Sequence, residues 1–172
     1  MKKGVIIQAS SRSNGNTSKI VCVIKAQTKF DVIDLNQKEI NHFDYEFKNK
    51  NDDFNLLFKE IVKNYDVILF ATPIYWYTMS GMLKVFLDRI SDFLFHEKEF
   101  GRLLRGKQMG IVSCGSDAIV FEGFEMPFVQ SAKYLGMDYL GHLHTWMEND
   151  DIPENVTSLI GEYVTNKILI KR

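Results

Sequence analysis

Val5-Ile6-Ile7-Gln8-Ala9, followed without a break by Ser10-Ser11-Arg12-Ser13-Asn14-Gly15-Asn16-Thr17-Ser18, is the stretch on which the fold turns. Its first part is a short apolar run, too brief for a helix and suited to a strand covered on both faces. Its second part is crowded with hydroxyl and amide side chains, holds one glycine, and ends where Ile20, Val21, Val23 and Ile24 begin a helix. A helix N-terminus presents unpaired N–H groups and partial positive charge, so it can hold a phosphate. An ordinary helix cap also favours Ser, Asn and Thr, but one cap uses one such residue and here many crowd together. Cys22, inside the apolar run, is expected to be buried packing.

The rest of the chain continues the alternation. Val32-Ile33-Asp34-Leu35, Val67-Ile68-Leu69-Phe70-Ala71, Met109-Gly110-Ile111-Val112 and the segment 139–145 read as further strands. Between them, Phe54, Leu57, Phe58, Ile61 and Val62 fall on one helical face, as do Leu83, Phe86, Leu87, Ile90 and Leu94. Val156, Leu159, Ile160, Tyr163 and Val164 form a last stripe, with Pro153 placed for its first turn. Five strands alternating with helices predict an α/β fold: a parallel sheet covered on both sides and joined by right-handed crossovers. No repeat or composition shift marks a boundary, so residues 1–172 are expected to form a single domain. Residues 36–53, polar and rich in Asn, Lys and Asp, read as a surface loop.

In such a sheet ligands bind beyond the carboxyl ends of the strands, which directs attention to the loops after strands one, three and four. The first loop has no Gly-Lys-Ser/Thr ending and no G-x-G-x-x-G, which disfavours a nucleoside triphosphatase and a dinucleotide site. It also lacks a Cys followed by five residues and Arg, so a bound, unreacted phosphomonoester fits best. The second loop, Thr72-Pro73-Ile74-Tyr75-Trp76-Tyr77-Thr78-Met79-Ser80-Gly81, places three aromatic residues in a row. They suit the walls of a flat, mostly apolar ring, although a hydrophobic plug or subunit contact would use them too. The third, Ser113-Cys114-Gly115-Ser116-Asp117, contains a glycine that permits close backbone approach to a ring edge.

Twenty-one basic and 22 acidic residues among 172 leave the chain near neutral, without the field that draws in nucleic acid or an anionic membrane. No segment approaches the roughly 20 apolar residues of a membrane span. The start of the chain lacks a signal-peptide pattern, and two separated cysteines make no disulfide framework. A cytoplasmic location is expected.

Together these motifs resemble the NADPH-dependent FMN reductase and NAD(P)H quinone reductase branch of the flavodoxin-like superfamily. The first loop carries the likeness, with the second loop extended through Met82-Leu83-Lys84-Val85-Phe86-Leu87-Asp88-Arg89 and with Tyr134-Leu135-Gly136-Met137. The resemblance implies a flavodoxin-like three-layer sandwich with a five-stranded parallel sheet ordered 2-1-3-4-5, and FMN at its carboxyl edge. By it, Ser10, Arg12, Ser13, Asn16 and Thr17 would surround the FMN phosphate. Pro73, Ile74, Tyr75 and Trp76 would line the flavin, with Ser113 and Gly115 at its pyrimidine side. It also implies a homodimer. The cysteine cluster that some relatives carry after the second strand is missing from residues 36–53, so no iron–sulfur centre is expected.

His142 and His144 alternate on the fifth strand, but no third ligand has matching spacing, and they read as surface or packing residues rather than a metal site. Lys84 and Asp88, four apart on a helix, are expected to pair in solvent. The function expected is an FMN-binding oxidoreductase that takes hydride from NADPH or NADH and passes it to a quinone, a flavin or a related small-molecule electron acceptor. No catalytic acid or base is nominated, since the cofactor carries the chemistry. The alternatives are a flavodoxin-type electron carrier, disfavoured by a net charge of only −1, and a non-catalytic flavin-responsive interaction protein.

Overall fold

The apolar runs at Val5 and Val67 lie side by side at the centre of a parallel sheet, where every residue of both strands is buried. The structure, a computed structural model, describes residues 2–170; the ends of the expected domain at Met1 and at Lys171 and Arg172 lie outside the described residues. Among the described residues the strands are β1 (Gly4–Gln8), β2 (Asp31–Asp34), β3 (Val67–Pro73), β4 (Gln108–Gly115) and β5 (Asp138–Trp146). They pair in the order β2-β1-β3-β4-β5, every pair parallel. This is the expected flavodoxin-like sheet.

Strand alternation divides the core in two. Val5, Ile7, Ile68, Phe70, Met109 and Ile111 face α2 (Asp53–Asn64), α3 (Gly81–Phe95) and α5 (Met126–Leu135). Ile6, Leu69, Val112 and Leu143 face α1 (Asn16–Thr28) and α6 (Glu154–Tyr163). A short helix, α4 (Lys98–Arg102), follows α3. Each layer is thus buried on the sheet side alone, as three-layer packing requires. None of the helices among the described residues is long and apolar enough to cross a membrane.

Helix starts follow local chemistry. Asp52 accepts from the Phe54 N–H to cap α2, and Ser80 accepts from the Leu83 N–H to cap α3. Ser80 Oγ also donates to the Ala9 carbonyl at 2.7 Å, tying the loop after β1 to the start of α3. α5 ends in Gly136 at φ 70°, the left-handed conformation that suits glycine.

Several expectations change. Cys22 is exposed, not buried. α1 turns Ile20, Val21 and Ile24 inward, and a residue two positions after Ile20 falls on the opposite side of a 3.6-residue helix. Thr72, Pro73, Ser113, Cys114 and Gly115 extend the strands, although their composition had placed them in loops. Thr72 pairs with Ser113 and Pro73 with Cys114, so ladder bonds carry β3 and β4 past their polar residues. Residues 36–53 are largely a surface loop but are pinned by a buried cation. The Arg89 guanidinium, 1% exposed, pairs with Asp52 at 2.5 Å and Asp92 at 2.7 Å and donates to the carbonyls of Asn41 and Asn49. Lys84 and Asp88 pair in solvent as expected.

Candidate functional site

The loops after β1, β3 and β4 converge at the carboxyl edge of the sheet. In the first, Gly15 is the N-cap of α1 and provides no side-chain hydrogen bond to the helix. The hydroxyls and amides that precede the helix are therefore not used as its cap. They are engaged in shaping the loop: Ser10 Oγ accepts from the Arg12 N–H, Gln8 Nε2 donates to the Ser13 carbonyl, and Asn36 Nδ2 donates to Ser13 Oγ. Ser10 and Thr17 are buried, Ser13 and Asn16 half-buried, and Arg12 exposed. The Arg12 side chain lies over Gly15, whose absent Cβ would fall 3.3 Å from Nε. What results is a helix start without a side-chain cap, ringed by neutral donors and one cation.

The second loop is a two-residue hairpin. Tyr75 and Thr78 exchange backbone hydrogen bonds of 2.9 and 3.1 Å, with Trp76 at φ 47° and Tyr77 at φ 65° between them. Positive φ at both central residues is the geometry of a type I′ turn, normally filled by Asn-Gly. Here it thrusts aromatic rings outward: Trp76 is 89% exposed and Tyr77 61%. The Tyr75 hydroxyl meets Ser11 Oγ at 3.1 Å, joining the hairpin to the first loop.

A cavity of about 250 Å³ opens between the hairpin and the segment after β4, lined by Ile74, Trp76, Tyr77, Gly115, Asp117 and Phe121, among others. Tyr77 and Phe121 meet edge-to-face at 4.8 Å to form one wall. The size is near the lower end of small-ligand sites, and the mixture of apolar walls with a few polar groups is typical of them.

Of the residues predicted for a ring site, Ile74, Trp76 and Gly115 line this cavity, and Tyr75 stands beside it, bonded to the first loop. Pro73 is buried within β3. Ser113 does not line the cavity. It is fully buried, and its hydroxyl lies between two rings of β5, 2.7 Å from His142 Nε2 and 2.8 Å from His144 Nδ1. Strand alternation turns its side chain into the layer between sheet and α5, so its hydroxyl is not available to a ligand. Tyr77 lines it as the run of three aromatics suggested, although the resemblance did not carry it over; sequence reasoning missed Ile119 and Phe121. The apolar run Ile119-Val120-Phe121 inside an otherwise polar segment was the available signal.

Burial governs titration here. It pushes the Cys114 thiol up, which keeps it protonated and a poor nucleophile. Burial, with His144 alongside, pushes His142 down to about 4, so that ring is neutral near pH 7. Among the described residues no group of three or more His, Cys, Asp or Glu side chains is placed to hold a metal ion.

Comparison with known proteins places this geometry in context. Residues 2–149 match the family described as NADPH-dependent FMN reductase. A Bacillus subtilis protein named as an NAD(P)H-dependent FMN-containing oxidoreductase, YwqN, is 30% identical over 155 residues, covering 82% of this chain and 83% of its own. Among solved structures, the Trp repressor binding protein from Bacillus subtilis aligns with a TM-score of 0.76 at 22% identity, over 99% of this chain and 100% of that one. An FMN-dependent NADH-azoreductase from Bacillus anthracis, solved with FMN, aligns with a TM-score of 0.67 at 12% identity, over 95% and 98%. At such identities the two structures establish the shared fold.

Proposed function

This chain belongs to the NADPH-dependent FMN reductase family and is an FMN-dependent NAD(P)H oxidoreductase; we propose that its electrons go to quinones, flavins or related small acceptors. The observation that carries the site assignment is the contact of a side-chain-uncapped, hydroxyl-rich helix start with an aromatic-walled cavity, bridged by Ser11 and Tyr75. A phosphate fits the first and a flat ring the second, in the order that a phosphate-bearing flavin needs.

Bound FMN would supply the redox chemistry that links NADPH or NADH to the acceptor. The chain's own residues bind and orient. The N–H groups at the start of α1, with Ser10, Arg12, Ser13, Asn16 and Thr17, would hold the phosphate. Ile74, Tyr75 and Trp76 would bind the ring, Tyr77 and Phe121 would exclude water from it, and Gly115 would leave room for its edge. No side chain of the site is assigned as a catalytic acid or base.

The protein is further proposed to act as one domain per chain, in homodimers, in the cytoplasm. Tyr134, 78% exposed, borders an apolar groove with Leu87, Ile90 and Leu94, which supports self-association through α3 and α5. The free state of Cys22 and Cys114 suits a reducing compartment.

Titration with FMN, followed by quenching of flavin fluorescence, tests the site. Saturable binding is expected, weakened at least about tenfold by Ser13→Asp, which sets a negative charge beside the phosphate. Equal affinity in the variant would remove the phosphate from this loop.

A further inference from the structure

β5 carries a hydrogen-bonded chain that the flavin site alone does not explain. His144 Nε2 lies 2.9 Å from the Asp117 carbonyl, which can only accept, so this nitrogen carries a proton. In neutral His144 the other nitrogen, Nδ1, is then an acceptor and takes its hydrogen bond from the Ser113 hydroxyl. With its own hydrogen directed to His144, Ser113 Oγ accepts from His142, which must hold its proton on Nε2. Every proton in the sequence His142, Ser113, His144, Asp117 is thereby ordered in one direction. The low value to which burial drives His142 agrees with a neutral donor at the head of the chain.

A second observation places the end of this chain at the cavity. A Cβ on Gly115 would fall 2.8 Å from His144 Cε1, so the imidazole packs directly against the glycine that lines the site. Asp117 lines the same cavity and is itself turned back by its Oδ1, which accepts from the Ile119 N–H at 2.8 Å. Trp146 stacks on His144 at 5.9 Å and Phe124 stacks on His142 at 4.9 Å, which limits rotation of both rings.

We propose that His144 is a positioning residue: oriented by His142 through Ser113, it holds the Asp117 carbonyl and so fixes residues 115–117 as a rigid edge of the flavin cavity. The role at the cofactor rests on the FMN reading above, whereas the hydrogen-bonded chain is a property of the protein alone. His144 touches no reacting group. Its effect is on the geometry of the backbone that does face the ring.

Two measurements test this. Long-range ¹⁵N–¹H correlation of the histidine rings in the full-length protein, near neutral pH, should show both His142 and His144 as Nε2–H tautomers. Either ring found as Nδ1–H, or His144 found doubly protonated, overturns the chain. In Ser113→Ala, His144 should keep the Nε2–H form that the Asp117 carbonyl imposes, while His142, deprived of its acceptor, should give way to a mixture of tautomers; a pure Nε2–H form of His142 there would show that Ser113 does not order it. The second measurement is FMN titration of His144→Phe, which keeps a stacking ring without a donor, and His144→Gln, which keeps a side-chain N–H near the Nε2 position. His144→Phe is expected to lose about tenfold in FMN affinity and His144→Gln no more than about threefold. Undiminished binding in His144→Phe, or equal losses in both variants, would contradict a positioning role. Wild-type protein with both predicted tautomers but no uptake of FMN would overturn the cofactor reading and leave the chain intact.

Discussion

Trp76 and Tyr77 occupy positive φ, a conformation that costs a non-glycine residue roughly 1 kcal/mol or more. The turn is strained at the two side chains that wall the cavity, which is where a functional demand overrides local preference. Trp76→Asn combined with Tyr77→Gly should therefore raise the melting temperature by about 3 °C, consistent with a gain of about 1 kcal/mol. The same pair should weaken FMN binding, because the aromatic wall is gone. Thermal melts and flavin titration on one preparation check both directions. Residues of this kind were only partly legible in the sequence. Three adjacent aromatics marked the hairpin, but nothing in their order revealed which of them lines the cavity. The resemblance put Ser113 beside the ring, and only the pleat of β4 beside β5 shows its hydroxyl spent on two histidines.

At the scale of elements, Arg89 ties α3 to the long loop before α2. Its buried charge is matched by Asp52 and Asp92. Burial alone would raise Asp52, but hydrogen bonds from Arg89 and from the Asn41 and Phe54 N–H groups outweigh it and hold that carboxyl below its usual range. Arg89→Met leaves two buried carboxylates unpaired and should cost about 3–5 kcal/mol in urea denaturation. Asp53 and Asp52 also receive the N–H groups of Glu39 and Asn41, so the loop should become sensitive to limited proteolysis in this variant. The sequence showed residues 36–53 as polar but concealed the anchor, since Arg89 sits in a helical stretch whose partners come from distant positions. Strand positions, by contrast, were legible from their apolar runs; their ends were not, because pairing on both sides of β4 carries the ladder beyond the apolar residues.

β5 adds a pH dependence of its own. The unfolded chain protonates His142 below about 6.5, whereas the native ring, desolvated beside His144, Ser113 and Phe124, does so only near 4. Its contribution to stability is thus whole above pH 6.5 and is lost as pH falls from there through 4, by at most about 3 kcal/mol. Urea midpoints measured across that window should fall less steeply in His142→Gln than in the wild type.

For the whole molecule, the parallel sheet and the placing of a candidate site at its carboxyl edge follow from alternation of short strands with amphipathic helices, which is why they were legible in the sequence; the strand order came only with the resemblance to the reductase family. The proposed self-association is less visible in sequence, because nothing there marks Tyr134 as exposed. Sedimentation equilibrium should give twice the 20.0 kDa chain mass, with Tyr134→Lys shifting the distribution toward the monomer. A monomer at all concentrations would remove the dimer from the account without touching the flavin site. The visible absorbance of the FMN-loaded protein tests the flavin site most directly when NADPH or NADH is added without oxygen. The yellow colour should bleach with at least one of the two nucleotides and return on addition of a quinone. Protein-bound flavin that stays yellow with both would contradict the site's assignment.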